Sequence, residues 1–434
     1  MPVTLRTADP SFKADFSAFL ASKRESSPEV DAVVAEIIAA VRRDGDRALI
    51  ALTEKFDRVD LAKTGIRIGE AEIAAALAAC DKGVLAALTL ARDRIESHHR
   101  RQLPRDDHYT DAAGVELGSR WTALESVGLY VPGGLASYPS SMLMNAVPAK
   151  VAGVPRVAVT VPTPGGAINP LVLAAAHLGG VTEIYRVGGA QAVAALAYGP
   201  ETIAPVAKII GPGNAYVAAA KRRVYGVVGI DSIAGPSEVL VIADKDNDPE
   251  WLAADLLAQA EHDTAAQSIL MTDDAALAAA VSAAVTRQLA TLPKRAIAAE
   301  SWATFGAVIL LRSLDEAPAL ADRLAAEHVE IATSDPEALA ARVRNAGAIF
   351  LGKHTPEVIG DYVAGSNHVL PTARSARFSS GLGVLDFMKR TSLLKLDPRA
   401  LAALGPAAMT LAEAEGLDAH RRSVEMRLRK PKDT

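Results

Sequence analysis

The chain has a single cysteine in 434 residues. That excludes an intramolecular disulfide framework and any metal site built from several thiolates. Cys80 has Asp81 beside it and no histidine nearby in sequence, so it is not read as a catalytic nucleophile. Aromatic residues are scarce as well, at 4%, and alanine fills many helical positions instead. No long basic run is present and the formal net charge is −5, which argues against a nucleic-acid partner. No uncharged run reads as a membrane helix. The longest, 157–182, carries three prolines and four glycines. The first sixteen residues hold Arg6, Asp9, Lys13 and Asp15 and no apolar core, so they do not read as a signal peptide. The expectation is a soluble cytoplasmic protein with no membrane partner.

Half of the residues are hydrophobic, and the length suggests about two to four domains. A polar helical segment is expected at 11–24. Helices follow at 30–51 and 69–99, where apolar residues recur at three- and four-residue spacing. The charged stretch 100–111 reads as an exposed connection, and His98, His99 and His108 near it as solvated side chains. From Glu116 short β-branched runs alternate with Ala-rich ones. Strands are expected at 127–131, 157–161, 183–187 and 208–210, then at 238–243, 268–272, 305–311, 330–333 and 348–351. Helical patterns separate most of them. Such alternation implies parallel sheets covered on both faces, with right-handed crossovers. The chain turns helical and charged after Arg390, with few large apolar side chains, so this tail is expected to dock on another surface.

Three strand-to-helix turns are rich in glycine: Pro132-Gly133-Gly134, Gly188-Gly189-Ala190-Gln191 and Gly211-Pro212-Gly213-Asn214. Glycine lets backbone approach a ligand, and a helix start offers free N–H groups to phosphate. None completes a G-x-G-x-x-G, so a dinucleotide cradle and tight packing turns are both open readings. The carboxyl edge of such a sheet is where α/β proteins bind ligands. Gln259-Ala260-Glu261-His262-Asp263 ends an Ala- and Leu-rich helical run. Gln259 and His262 share a face there and can begin a metal site, though a lone histidine beside acids at a helix end is usually solvated or hydrogen-bonded. Alone, Glu327-His328 reads as an exposed strand edge, Asp361 as a turn acid and His420 as a surface residue.

Eight segments change that balance. They are 127–134, 186–191, 210–215, 233–239, 259–263, 326–328, 365–371 and 415–420, reading VGLYVPGG, RVGGAQ, IGPGNA, IAGPSEV, QAEHD, AEH, GSNHVLP and EGLDAH. Together and in this order they resemble the histidinol dehydrogenase family, the zinc enzymes of the last two steps of histidine biosynthesis. The resemblance implies four-electron oxidation of L-histidinol to L-histidine through the aldehyde, with reduction of two NAD. It implies Gln259, His262, Asp361 and His420 as zinc ligands, and Glu327 and His328 as the catalytic acid/base pair. Ser237, Gln259, His262, His328, Asp361, Glu415 and His420 would contact the substrate. Tyr130, Gln191 and Asn214 would line the NAD site, and His368 is a further residue facing the substrate. It also implies a homodimer in which Glu415 and His420 enter the partner's site.

The expected fold is α/β, with two Rossmann-like parallel-sheet domains, a helical N-terminal segment (1–26) and an extended helical C-terminal tail (382–434). The first domain would combine 27–129 with 239–381, and the second would be 130–238. One departure is local: many family members are Gly-rich where this chain reads Ala373-Arg374-Ser375-Ala376-Arg377. Two other function classes are open. A superfamily relative could oxidise a hydroxysulfonate with the same zinc and NAD, but Glu415 would repel a sulfonate. A binding protein without catalysis would have no reason to keep Glu327, His328 and all four ligand positions.

Overall fold

The computed structural model describes residues 2–21, 28–132, 138–233 and 235–429. The turn at Gly133-Gly134 lies outside them. Among the described residues the strands are, in chain order, β1 (Val3–Arg6), β2 (Asp107–Thr110), β3 (Glu116–Ala123), β4 (Ser126–Tyr130), β5 (Arg156–Thr160), β6 (Glu183–Tyr185) and β7 (Lys208–Ile210). They continue with β8 (Gly229–Ile230), β9 (Glu238–Ala243), β10 (Gln267–Thr272), β11 (Ala307–Leu310), β12 (His328–Ala332), β13 (Ala348–Leu351) and β14 (Met388–Lys395).

Two sheets are parallel, as the strand–helix alternation requires. The larger has the order β1-β11-β10-β9-β12-β13, and the smaller β6-β5-β4-β7-β8. The central strands β9 and β10 are buried along their whole length. Their side chains still alternate between two cores: Leu240 and Ile242 face one, Val239 and Val241 the other. Helices cover both faces, so these strands read as continuous apolar runs.

The N-terminal helical region is placed differently from the expectation. Helix Pro28–Asp44 buries Val34, Ile37 and Val41 against helices Gly189–Tyr198 and Ala215–Val224 of the smaller sheet. Helix Lys82–Arg100 buries Leu88, Ala91 and Ile95 in the second core of that same sheet. The helices of 27–129 therefore lie mainly on the smaller sheet rather than with 239–381. The expected long helices are each broken in two. Gly45, at φ 54°, separates Pro28–Asp44 from Asp46–Asp57. Asp81 caps Lys82–Arg100 by accepting the N–H groups of Gly83 and Val84, leaving Cys80 at the end of Glu70–Ala79.

Both terminal segments contain a strand that the sequence does not announce. β1 extends the edge of the larger sheet beside β11. β14 pairs antiparallel with β3, which pairs with β2, before the tail turns helical as Pro398–Ala414 and Asp418–Leu428. Ala373 and Arg374 both have positive φ, the left-handed region that glycine adopts freely. His99 is fully buried, with Nδ1 at 2.7 Å from the Ile95 carbonyl, and is not solvated as expected. Among the described residues no single helix is long and apolar enough to cross a membrane.

Candidate functional site

The site forms at the amino-terminal ends of β9 and β12, which are neighbours in the larger sheet with His328 level with Val239. Glu327 and His328 are both buried. β12 is flanked by β9 and β13, so the pair does not lie on an exposed edge. Glu327 accepts the Glu238 N–H at 3.1 Å. His328 Nδ1 lies 3.1 Å from the Glu238 carbonyl oxygen. A carbonyl can only accept, so Nδ1 carries a proton, and whenever the ring is neutral its lone pair is on Nε2. That Nε2 is buried without a hydrogen-bond partner, 3.5 Å from Asp361 Oδ1.

Helix Pro249–Ala260 delivers the rest. Gln259 lies in its last turn, and the next turn of chain brings His262 back onto it, with Gln259 Nε2 3.1 Å from His262 Nδ1. The other amide atom, Gln259 Oε1, is buried and has no partner. Asp361 comes from helix Glu357–Tyr362, and its charge acts on both His262 and His328. Gln259, His262, Glu327, His328 and Asp361 are thus gathered at one place, where Gln259, Glu327 and His328 are buried.

Electrostatics sharpen the picture. Burial pushes the Glu327 carboxyl up to about 7. Burial also pushes Glu357 up to about 8. On His328 burial opposes charge, but Glu357, Glu327 and Asp361 outweigh it and raise the imidazole well above its ordinary value. Burial holds His262 and His368 below theirs. For Asp361 burial acts upward, and the His328 contact overrides it to keep the carboxylate ionised. Carboxylates and the His262 imidazole, held toward its neutral form, beside an orphaned amide oxygen form an electron-rich donor set, which suits a cation. Among the described residues, no group of three or more His, Cys, Asp or Glu is by itself disposed to hold a metal ion.

Not every expected residue arrives. Glu415 ends helix Pro398–Ala414 and His420 lies on Asp418–Leu428; both are exposed. No hydrogen bond or ion pair among the described residues ties either to the five gathered side chains. Ser237 immediately precedes β9, and its carbonyl accepts the Gln267 N–H. His368 has both nitrogens engaged, Nδ1 with the Asp361 carbonyl at 2.9 Å and Nε2 with Ser141 Oγ at 3.0 Å. It braces Asp361 from behind.

The other expected residues cluster at the carboxyl edge of the smaller sheet. Tyr130 ends β4, and its hydroxyl accepts the Gly189 N–H at 3.1 Å. Burial pushes that phenol up to about 12. Gln191 is buried in the first turn of the helix that Gly188 opens. Asn214 caps Ala215–Val224, accepting from Tyr216 and Val217.

Two buried acids escaped the sequence reading. Glu357 Oε2 lies 3.6 Å from His328 Nδ1 and has no hydrogen-bond partner. Its spacing of four from Asp361 on one helix was the available signal. Glu330, on the same face of β12 as His328, hydrogen-bonds Asp255, one turn before Gln259. Burial raises both carboxyls of this pair, so it retains a proton. A raised carboxyl contributes its full stability below the unfolded value and loses it as pH rises through the folded one. Asp255→Asn is therefore expected to unfold at a higher temperature than the parent near pH 8 and to lose that advantage near pH 4. Thermal scans across this range check it; parallel profiles for the two proteins would refute the shared proton.

Known proteins resemble this chain over almost its whole length. Residues 20–428 match the family model described as histidinol dehydrogenase. The chain is 68% identical over 428 residues to the histidinol dehydrogenase of Brucella suis biovar 1 (strain 1330), covering 99% of this chain and 100% of that one. It is 68% identical over 428 residues to that of Bradyrhizobium diazoefficiens, covering 99% of both. The crystal structure of histidinol dehydrogenase from Elizabethkingia anophelis superposes with a TM-score of 0.94 at 35% identity, covering 98% of each chain. By the family model, the relatives and the matching crystal structure, each covering nearly the whole chain, the chain belongs to the histidinol dehydrogenase family of oxidoreductases.

Proposed function

We propose that the protein oxidises L-histidinol to L-histidine through L-histidinaldehyde, in a zinc-dependent reaction that reduces two NAD. The observation that carries this reading is the convergence of Gln259, His262, His328 and Asp361, with Gln259 Oε1 buried and unpartnered and His328 Nε2 3.5 Å from Asp361 Oδ1. Gln259, His262 and Asp361 would hold zinc, with His420 of a second copy completing the set. Zinc, when bound, supplies a template for the substrate nitrogens, and NAD supplies the hydride acceptor. Tyr130, Gln191 and Asn214 would line the NAD site.

The chain's own residues handle the protons. His328 is fixed through Nδ1, so Nε2 is free to take the hydroxyl proton of the alcohol. Glu327 is oriented by the Glu238 N–H and is neutral or ionised near pH 7. It is poised to take a proton from the water that hydrates the aldehyde. Ser237 and Glu415 would contact the substrate. The tail supports a homodimer with shared sites, because Leu404, Leu411, Leu417 and Met426 are exposed on it.

An NADH absorbance assay with L-histidinol tests the reading. Activity is expected in the zinc-loaded protein, complete loss after chelation and return on adding zinc. Full activity in a demonstrably metal-free preparation would overturn the zinc assignment, and no turnover of L-histidinol by the loaded protein would overturn the substrate.

A further inference from the structure

The smaller sheet contains a buried ion pair that the proton chemistry does not use. Lys221, in the last turn of helix Ala215–Val224, is 2% exposed and pairs with the buried carboxylate of Asp231. Both side chains also grip one residue. Lys221 Nζ donates to the Gly211 carbonyl at 2.9 Å, and Asp231 Oδ2 accepts the Gly211 N–H at 2.8 Å. The two polar backbone groups of Gly211 are therefore held from opposite sides.

Gly211 is the pivot of the turn that follows β7. Its φ is 116°, and a Cβ built on it would meet the Tyr130 carbonyl oxygen at 2.2 Å. Only glycine fits there. The turn runs on to Asn214, which caps the helix that carries Lys221. Tyr130 and Asn214 are thus brought together at Gly211, and the ion pair fixes Gly211. A buried ion pair is a poor source of net stability compared with packed apolar side chains of the same size. Its use here is geometric.

We propose that Lys221 and Asp231 are positioning residues for the cofactor, clamping Gly211 so that Tyr130 and the 211–214 turn present one preformed surface to NAD. The assignment rests on the reading above that this edge binds NAD. The clamp lowers the cost of ordering the turn when the cofactor arrives. It lies in the smaller sheet, away from the proton-transfer residues, so its loss is felt in cofactor affinity rather than in the chemical step.

The test uses the zinc-loaded protein and two variants. Lys221→Met with Asp231→Leu removes both charges while keeping apolar bulk, so no unpaired ion is left buried. It is expected to raise the KM for NAD and the NADH dissociation constant roughly ten-fold or more, the scale of a lost charge-assisted hydrogen bond. The KM for L-histidinol and kcat should stay within about two-fold, a split that general loosening of the fold would not produce. Asp231→Asn keeps an acceptor for Gly211 and should show a smaller rise in the same direction; it decides the matter if the double variant does not fold. Unchanged NADH binding in a folded variant, with normal binding by the parent, overturns the clamp alone. Absence of NADH binding in the parent overturns the cofactor reading and the clamp with it.

Discussion

Replacing His328 with asparagine is expected to lower the rate of L-histidinol oxidation by roughly 10²- to 10⁴-fold, the usual worth of a positioned general base. The substitution keeps one of the contacts that hold the ring. An asparagine amide can still donate to the Glu238 carbonyl that holds His328 Nδ1 at 3.1 Å. It offers no basic atom where Nε2 stands. Glu327→Gln keeps an acceptor for the Glu238 N–H and loses only the titrating group. Its main effect is expected on the second oxidation, which starts from hydrated aldehyde. The two half-reactions are measured separately, starting from histidinol and from histidinaldehyde. A variant at 328 should be slow from the alcohol, and a variant at 327 chiefly from the aldehyde. Equal losses in both half-reactions for both variants would reject this division between adjacent residues.

The parallel sheets were legible because their strands are β-branched runs closed by glycine turns, and burial on both faces removes any ambiguity of side. β9 appears with the same limits in sequence and structure. The strands that escaped have other reasons to exist. β1, VTLR, gains a partner only through β11, some three hundred residues later. β3 and β14 are polar, half-exposed ribbons whose pairing is set by tertiary contact rather than by pattern. The helical region before β2 looked continuous because alanine masks a break. Gly45 and Asp81 interrupt it by backbone conformation and by capping, which leave only single-residue traces.

The site was less legible by chemistry than by resemblance. Gln259 and His262 share a helix face, and the structure pairs them. Nothing in local spacing ties them to Glu327, His328 or Asp361, which meet them only because β9 and β12 are sheet neighbours. Glu357 and Glu330 were missed because a charged residue in an amphipathic stretch normally faces water. Here each is buried beside another acid or an imidazole. The unpartnered Gln259 Oε1 could not have been foreseen, since it depends on which amide atom the His262 contact leaves free.

Mixing two inactive variants is expected to restore activity. The helices Pro398–Ala414 and Asp418–Leu428 bury only Ala400 and Gly405 between them, while Leu404, Leu411, Leu417 and Met426 are exposed. Four large apolar side chains on this helical hairpin suit the surface that a second copy would cover under the homodimer proposed above. The candidate metal site holds Gln259, His262 and Asp361 from one chain, and His420 is exposed on that hairpin. A tail docked on a second copy would bring His420 and Glu415 to its partner's site. His262→Ala damages the site on its own body, and His420→Ala damages the site its tail completes. A heterodimer of the two then has one site carrying both defects and one site carrying neither. Each variant alone should be nearly inactive, and unfolding and refolding them together should return turnover of L-histidinol. Heterodimers verified by two distinct affinity tags make the reading quantitative, because activity should follow their abundance. If verified heterodimers stay inactive, His420 acts within its own chain and the shared-site assignment falls.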